Sequence, residues 1–189
     1  TNATNSTIKG TVDTWYTNNL ASYADKLTDA GFCGDRSIQT GYGTELGYGT
    51  NQTGYGARQR LYTNKTPTYN CPNSDLDLYT LTTNSVGNKK LTKPIGLITA
   101  DEVAYAGGVY NVNNYTYYLQ SGSDYWTMSP SHFYVSLSTA GVGNVRSYGI
   151  VNINYVPNGY GVRPAVSLKS GTIVTGGTGT LTDPWIVAS

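Results

Sequence analysis

Helical periodicity is confined to the front of this 189-residue chain, whereas the back is a succession of short apolar runs cut by Gly, Pro and Asn. Ile8, Val12, Trp15, Tyr16, Leu20, Tyr23 and Leu27 recur three or four positions apart. That spacing predicts one amphipathic helix over about 8–28, with Asn5, Ser6 or Thr7 as cap and Gly31 as stop. Thr99-Ala100-Asp101-Glu102 has the form of a capping box, and Gly107-Gly108 end the short helix it opens, about 100–106. An approach strand is expected at 94–98. Strand-like runs follow around 117–119, 125–128, 133–137, 144–153, 162–168 and 185–187, so the strand-rich part covers about 117–187. Two helices early and short strands late define an α+β domain, and the length suits a single domain over 1–189.

Charged residues make up 12% of the chain and the net charge is +1. No broad basic field exists to attract nucleic acid or an anionic membrane, so neither is expected as a partner. No apolar run approaches the roughly 20 residues of a membrane-spanning helix, and the first residues lack the basic and apolar regions of a signal peptide. The chain starts at Thr1, and the expectation is a mature or excised domain whose anchor or export segment lies elsewhere. Eighteen tyrosines stand against two phenylalanines, so much of the aromatic area can pack and still face water. Cys33 and Cys71 are the only cysteines. Neither has a neighbouring His or second Cys at zinc-ligand spacing, so a structural disulfide is preferred over a reactive or metal-binding pair. This usage fits an oxidising, extracellular compartment.

Between 40 and 56 the chain repeats Gly-Tyr-Gly at 41–43, 47–49 and 54–56. So much glycine predicts a long surface loop, either a tyrosine-bearing contact loop or a spacer. Catalytic chemistry finds little support. His132 follows Ser131 without an evident orienting group, and is read as a turn or loop residue. The carboxylate pair Asp101 and Glu102 is explained by the helix start, and Asp75 with Asp77 by a polar turn. Asp35 and Arg36 are read as ion-pairing residues that fix the loop beside Cys33. Arg163 is expected to brace backbone carbonyls, and Trp126 and Trp185 are expected in the core.

An ordered set of segments carries a family resemblance: 32–37 (Phe-Cys-Gly-Asp-Arg-Ser), Arg60-Leu61, Cys71, 96–102, 125–130 (Tyr-Trp-Thr-Met-Ser-Pro), 161–164 (Gly-Val-Arg-Pro), Gly179-Thr180 and Pro184-Trp185. From about residue 8 onward the chain resembles the C-type-lectin-like domains of bacterial surface and pilin-like proteins. That fold is shared by retroelement-diversified variable proteins and by sulfatase-modifying enzymes. The resemblance implies two helices, a small mostly antiparallel sheet and long irregular loops, with the segment between Ser129 and Gly161 displayed on the sheet. The lectin calcium motifs are missing, however, and no Asp or Glu occurs from Ser131 to Ser170. A calcium site needs several oxygen ligands, usually including carboxylates, so no metal and no cofactor are expected. The cysteines of the formylglycine-generating relatives also have no counterpart near the sheet.

The displayed segment is rich in Tyr, Asn and Ser, residues that make contact surfaces at low entropic cost. Tyr134, Ser136, Ser138, Asn144, Arg146, Tyr148, Asn152, Asn154, Tyr155, Asn158 and Tyr160 are the candidate ligand-binding residues. The trios 134/136/138 and 144/146/148 are each expected on one face of a strand. The expected function is non-enzymatic recognition of a protein or glycan at a bacterial cell surface. The alternative is a structural or assembly subunit of a filament or stalk.

Overall fold

The computed structural model describes residues 4–39, 52–134, 137–180 and 182–188. The elements expected within 40–51 therefore lie outside the described residues. Helix α1 spans Thr7–Asn19, where the Ser6 side chain accepts from the Lys9 N–H as N-cap. The helix is shorter than its apolar spacing predicts. After Leu20 the chain tightens into a 3-10 turn, Ala21–Lys26, and Leu27–Thr28 form strand β1. Leu27 leaves the helix because it pairs with Leu168 and is buried there. Only Val12 and Tyr16 of α1 are buried, while Trp15 and Tyr23 face solvent.

Strand β2 (Phe32–Cys33) follows, then β3 (Gln52–Gly54). The end of the glycine-tyrosine segment is thus ladder rather than loop, because Gln52–Gly54 pair with residues 132–134. Helix α2 (Gly56–Arg58) runs into a wider-turn segment, Gln59–Asn64. Next come α3 (Ser74–Asp77), β4 (Leu78–Tyr79), β5 (Gly96–Leu97), α4 (Ala100–Tyr105) and β6 (Val109–Tyr110). Helix α4 has the capping box its sequence announces: Thr99 accepts from the Glu102 N–H, and the Glu102 carboxylate accepts from the Thr99 N–H.

The central sheet continues with β7 (Tyr125–Tyr134), β8 (Thr139–Val145) and β9 (Ile150–Tyr155). Short strands β10 (Pro164–Ala165), β11 (Ser167–Leu168), β12 (Val174–Gly176) and β13 (Ile186–Val187) complete the described elements. The five-stranded order is β3-β7-β8-β9-β6, antiparallel except for β6 beside β9. Pro130 sits within β7, where it has no N–H to give the ladder. The register shifts on both sides of it, as a proline inside a paired strand requires.

Alternation along β7 sends neighbouring aromatics to opposite faces. Tyr125, with Val145 and Val151, packs on Leu61, Ala100, Val103 and Tyr117. Trp126 packs on the other side with Val12, Tyr16, Leu27, Ile95 and Leu97. Val103, Val145 and Ile95 have no exposed surface, and burial of each such side chain contributes about 1.5–3 kcal/mol. Trp126 is core, as expected, but Trp185 is not: it is 58% exposed on the terminal β12–β13 ribbon. The region 117–119 is a turn rather than a strand. Its Leu119 carbonyl accepts from both the Tyr125 hydroxyl and Arg163 Nη1, so Arg163 does brace the backbone.

Two charge clusters and a disulfide join the sheet's first face to the segments before it. Arg60 donates through Nε and Nη2 to the two Asp101 oxygens, both at 2.9 Å, and its Nη1 lies 2.8 Å from Asp35 Oδ2. Burial alone would lower the Arg60 pKa, but hydrogen bonding and charge from Asp101 and then Asp35 outweigh it, and the net shift is upward. Arg36 pairs with buried Asp77 at 2.6 Å. Asp77 is therefore an ion-pair partner at the end of α3, not a residue of a polar turn. Cys33 and Cys71 form a disulfide. In the chain-entropy model, closing a loop of that separation stabilises the fold by about 4 kcal/mol.

Replacing Arg60 by Ala leaves Asp35 and Asp101 buried without their cation. Urea unfolding of Arg60→Ala is expected to show a loss of about 3–5 kcal/mol, and a change under about 1 kcal/mol would mean the cluster is not a brace.

Candidate ligand-binding face

Residues 144–153 form a hairpin rather than one strand. The turn over 146–149 is closed by Arg146 N–H to the Ile150 carbonyl and Gly149 N–H to the Arg146 carbonyl, with Gly149 at φ +75°. The chain reverses there, so 144, 146 and 148 do not share a strand face. Asp124 holds the turn from the start of β7: its Oδ1 accepts from the Ser147 N–H, and its Oδ2 is 3.2 Å from Arg146 Nε.

After β9 the chain crosses back and lands beside β7, where Trp126 N–H donates to the Gly161 carbonyl. This crossover sets the Tyr160 ring 4.7 Å from Trp126. The Tyr160 hydroxyl then accepts from Arg146 Nη1 at 2.6 Å and from Asn154 Nδ2. Asn158 Nδ2 in turn donates to Asn154 Oδ1. Arg146 is level with Ile150, and Asn154 is paired with Val142. Four residues of strand separate them, about 13 Å of backbone, so Arg146 must extend along the sheet for both to meet one hydroxyl. A turn, a strand and a crossover thereby contribute to one polar network.

The remaining candidates divide. Asn152 lies on the same cross-strand row as Asn144 and Trp126, half-buried, and its Oδ1 accepts from the Ile153 N–H. Asn144 is wholly buried, and among the described residues neither its amide oxygen nor its nitrogen has a hydrogen-bond partner. It underlies the face and does not touch solvent. Tyr148 is 53% exposed at the hairpin turn, edge-on to Tyr115. Tyr155 is 42% exposed at the other end of β9. Ser138 is exposed with φ +48°, a turn conformation rather than a strand one. Tyr134 is half-buried against His132, with ring centroids 4.6 Å apart. Ser136 lies outside the described residues.

His132 is a strand residue, not a loop one, and only 8% exposed. Its ring lies over Gly141, where any Cβ would collide with the imidazole, and Tyr155 meets it edge-on at 5.8 Å. The bulge beside Pro130 brings Ser131 Oγ within 3.1 Å of His132 Nδ1. Burial, and then the charge of Arg58, hold the His132 pKa down to about 4. A base so weak is poorly matched to deprotonating a hydroxyl near neutral pH, and its Nε2 has no hydrogen-bond partner among the described residues.

The sequence offers no signal for several features the structure assembles. Tyr69 and Tyr105 stack at 4.1 Å with planes 10° apart, and Arg58 lies over Tyr62 at 5.0 Å. These contacts join segments whose spacing carries no period. The chain is therefore a disulfide-bridged α+β domain whose central sheet bears a polar-aromatic network on one side. No protein-family model, curated protein or solved structure matches it.

The unfolded chain protonates His132 near pH 6.5 and the folded one only near 4. The unfolded state therefore binds more protons on acidification, and stability falls as pH drops through that window. From about pH 7.5 to about pH 5 the loss is expected to be about 2 kcal/mol. In His132→Phe that slope should disappear from urea midpoints, and an unchanged slope would assign it to other groups. Asn144→Leu removes two unmet hydrogen-bonding groups, each costing about 1–3 kcal/mol. Its thermal midpoint is expected to equal or exceed that of the natural chain.

Proposed function

We propose that this chain is a non-enzymatic, extracellular recognition module of the C-type-lectin-like kind, part of a bacterial surface or pilus-like protein. It binds a protein or glycan through the sheet face that carries Arg146, Asn152, Asn154, Asn158 and Tyr160, with Tyr148 beyond one end; Tyr155 alternates to the other face, against His132. The observation that carries this reading is the single Tyr160 hydroxyl gathering Arg146 and Asn154, with Asn158 tied to Asn154. Groups held in place before a ligand arrives lose little freedom on binding, and that raises affinity. The exposed Tyr148 ring adds rigid amphipathic contact area.

Further observations support parts of the reading. The Cys33–Cys71 bridge suits an oxidising compartment, and no helix among the described residues is long and apolar enough to cross a membrane. Ser131 and His132 are buried and lack an orienting carboxylate among their described partners, which favours binding over hydrolysis. No Asp or Glu occurs from Ser131 to Ser170, and calcium-dependent sugar binding needs carboxylate ligands, so the proposal is for recognition without calcium.

One feature favours the second reading, an assembly subunit. The terminal ribbon exposes Ile173, Val174, Trp185 and Ile186 together, and an apolar surface of this kind is suited to packing against copies or neighbours.

A glycan and protein array is expected to identify a ligand that the natural chain retains and the Tyr148→Ala, Asn158→Ala double variant loses. Because both side chains are largely exposed, the variant's thermal midpoint should move by no more than a few degrees. Unimpaired capture by the double variant would refute the face. Concentration-dependent self-association abolished by Trp185→Ser would favour assembly.

A further inference from the structure

A cavity of about 340 Å³ lies between the Cys33–Cys71 bridge, the start of α4 and the β10–β11 segment. It shares no residue with the Tyr160 network, and the sheet-face reading does not use it. Pockets of this volume fall in the range that accepts small ligands.

The charge of its lining selects the ligand. Asp35, Asp101 and Glu102 all line the cavity, against a single cation, Arg60. Three carboxylates against one guanidinium leave two negative charges in excess. Arg60 cannot serve an anion, because Nε and Nη2 are committed to Asp101 and Nη1 faces Asp35. Acceptor capacity remains instead. Asp35 is 4% exposed and is held through Oδ2 by Arg60 Nη1 at 2.8 Å and through Oδ1 by the Ser37 N–H, so the open acceptor is on Glu102. The described contacts of the Glu102 side chain all run through Oε2, to Thr99.

The mouth supplies a second, independent selection. Tyr69 lines the cavity and is 69% exposed, yet its ring is fixed by stacking on Tyr105, whose hydroxyl is anchored to the Pro67 carbonyl at 2.8 Å. A held aromatic face beside carboxylates attracts an organic cation through its quadrupole. Phe32, Leu78, Leu97 and Val166 form an apolar wall for an alkyl body. A metal ion is a poor fit, since the carboxylates do not converge as a ligand set.

We infer that this cavity is a second binding site, for an alkylammonium group: a free primary amine or the end of a lysine side chain. The two sources share one chemistry and are separated by the probes used to test it.

Calorimetric titration of the full chain near neutral pH should detect n-pentylamine binding, with n-pentanol at least about tenfold weaker, since the charge-assisted hydrogen bond is lost. Nα-acetyl-lysine methylamide binding more tightly than n-pentylamine assigns the site to a peptide lysine; the reverse assigns it to a free amine. Glu102→Gln keeps an acceptor for the Thr99 cap and is expected to weaken n-pentylamine at least about tenfold. Tyr69→Ala, at an exposed position that should not affect folding, is expected to weaken it several-fold. Equal binding of amine and alcohol, no binding of either, or n-pentylamine affinity unchanged in the Tyr69→Ala variant would overturn the inference.

Discussion

Arg60 between Asp35 and Asp101 is the contact through which the separately built parts of this domain are held in register. Asp35 belongs to the segment beside the disulfide, Arg60 to the helical stretch under the sheet, and Asp101 to the first turn of α4. Asp101 also accepts from the Thr68 N–H, which draws in the segment leading to Cys71. Each carboxylate is almost fully buried. Burial of ions is costly unless they are paired with good geometry, so once the cation is in place none of the three segments can shift alone. The apolar packing of α4 on Tyr125, Val145 and Val151 is aligned by this contact.

The two faces of the sheet then receive different chemistry from the same alternation. On one, Tyr125 and its neighbours close over α4. On the other, Trp126 carries the Tyr160 ring, and the Tyr160 hydroxyl orders Arg146 and Asn154. Rigidity at this polar face is thus inherited from the core: a tryptophan fixes a tyrosine, and the tyrosine fixes an arginine and an asparagine. Asn144 beneath them is an uncompensated amide, a cost that the surrounding packing carries.

Local chemistry made some elements legible in advance. The Thr99–Glu102 capping box joins positions three apart, and its hydrogen bonds form wherever that segment is helical. The Trp126 burial and the Arg163 brace also match what an apolar run and a planar fork of donors suggest. Where reading failed, a distant partner had intervened. Leu27 continues the helical spacing, yet pairing with Leu168 draws it into a strand. Trp185 sits in an apolar run, but beside the two-stranded β12–β13 ribbon it stays 58% exposed. His132 looked like a turn residue until the pairing of β7 with β8 placed its ring over Gly141.

By itself the sequence determined the class: an α+β chain, low in charge, with one cysteine pair and a Tyr- and Asn-rich stretch free of carboxylates. These follow from composition and from spacings within a turn or two. Only the tertiary structure decided which of those polar residues act together. Arg146, Asn154, Asn158 and Tyr160 meet because a hairpin turns at 146–149 and a crossover returns over the sheet, while Tyr148 and Tyr155 are carried to opposite ends. The same holds for Tyr69 against Tyr105, and for Arg60 between its two aspartates. Such contacts are set by how the backbone folds back on itself, and no periodicity along the chain encodes them.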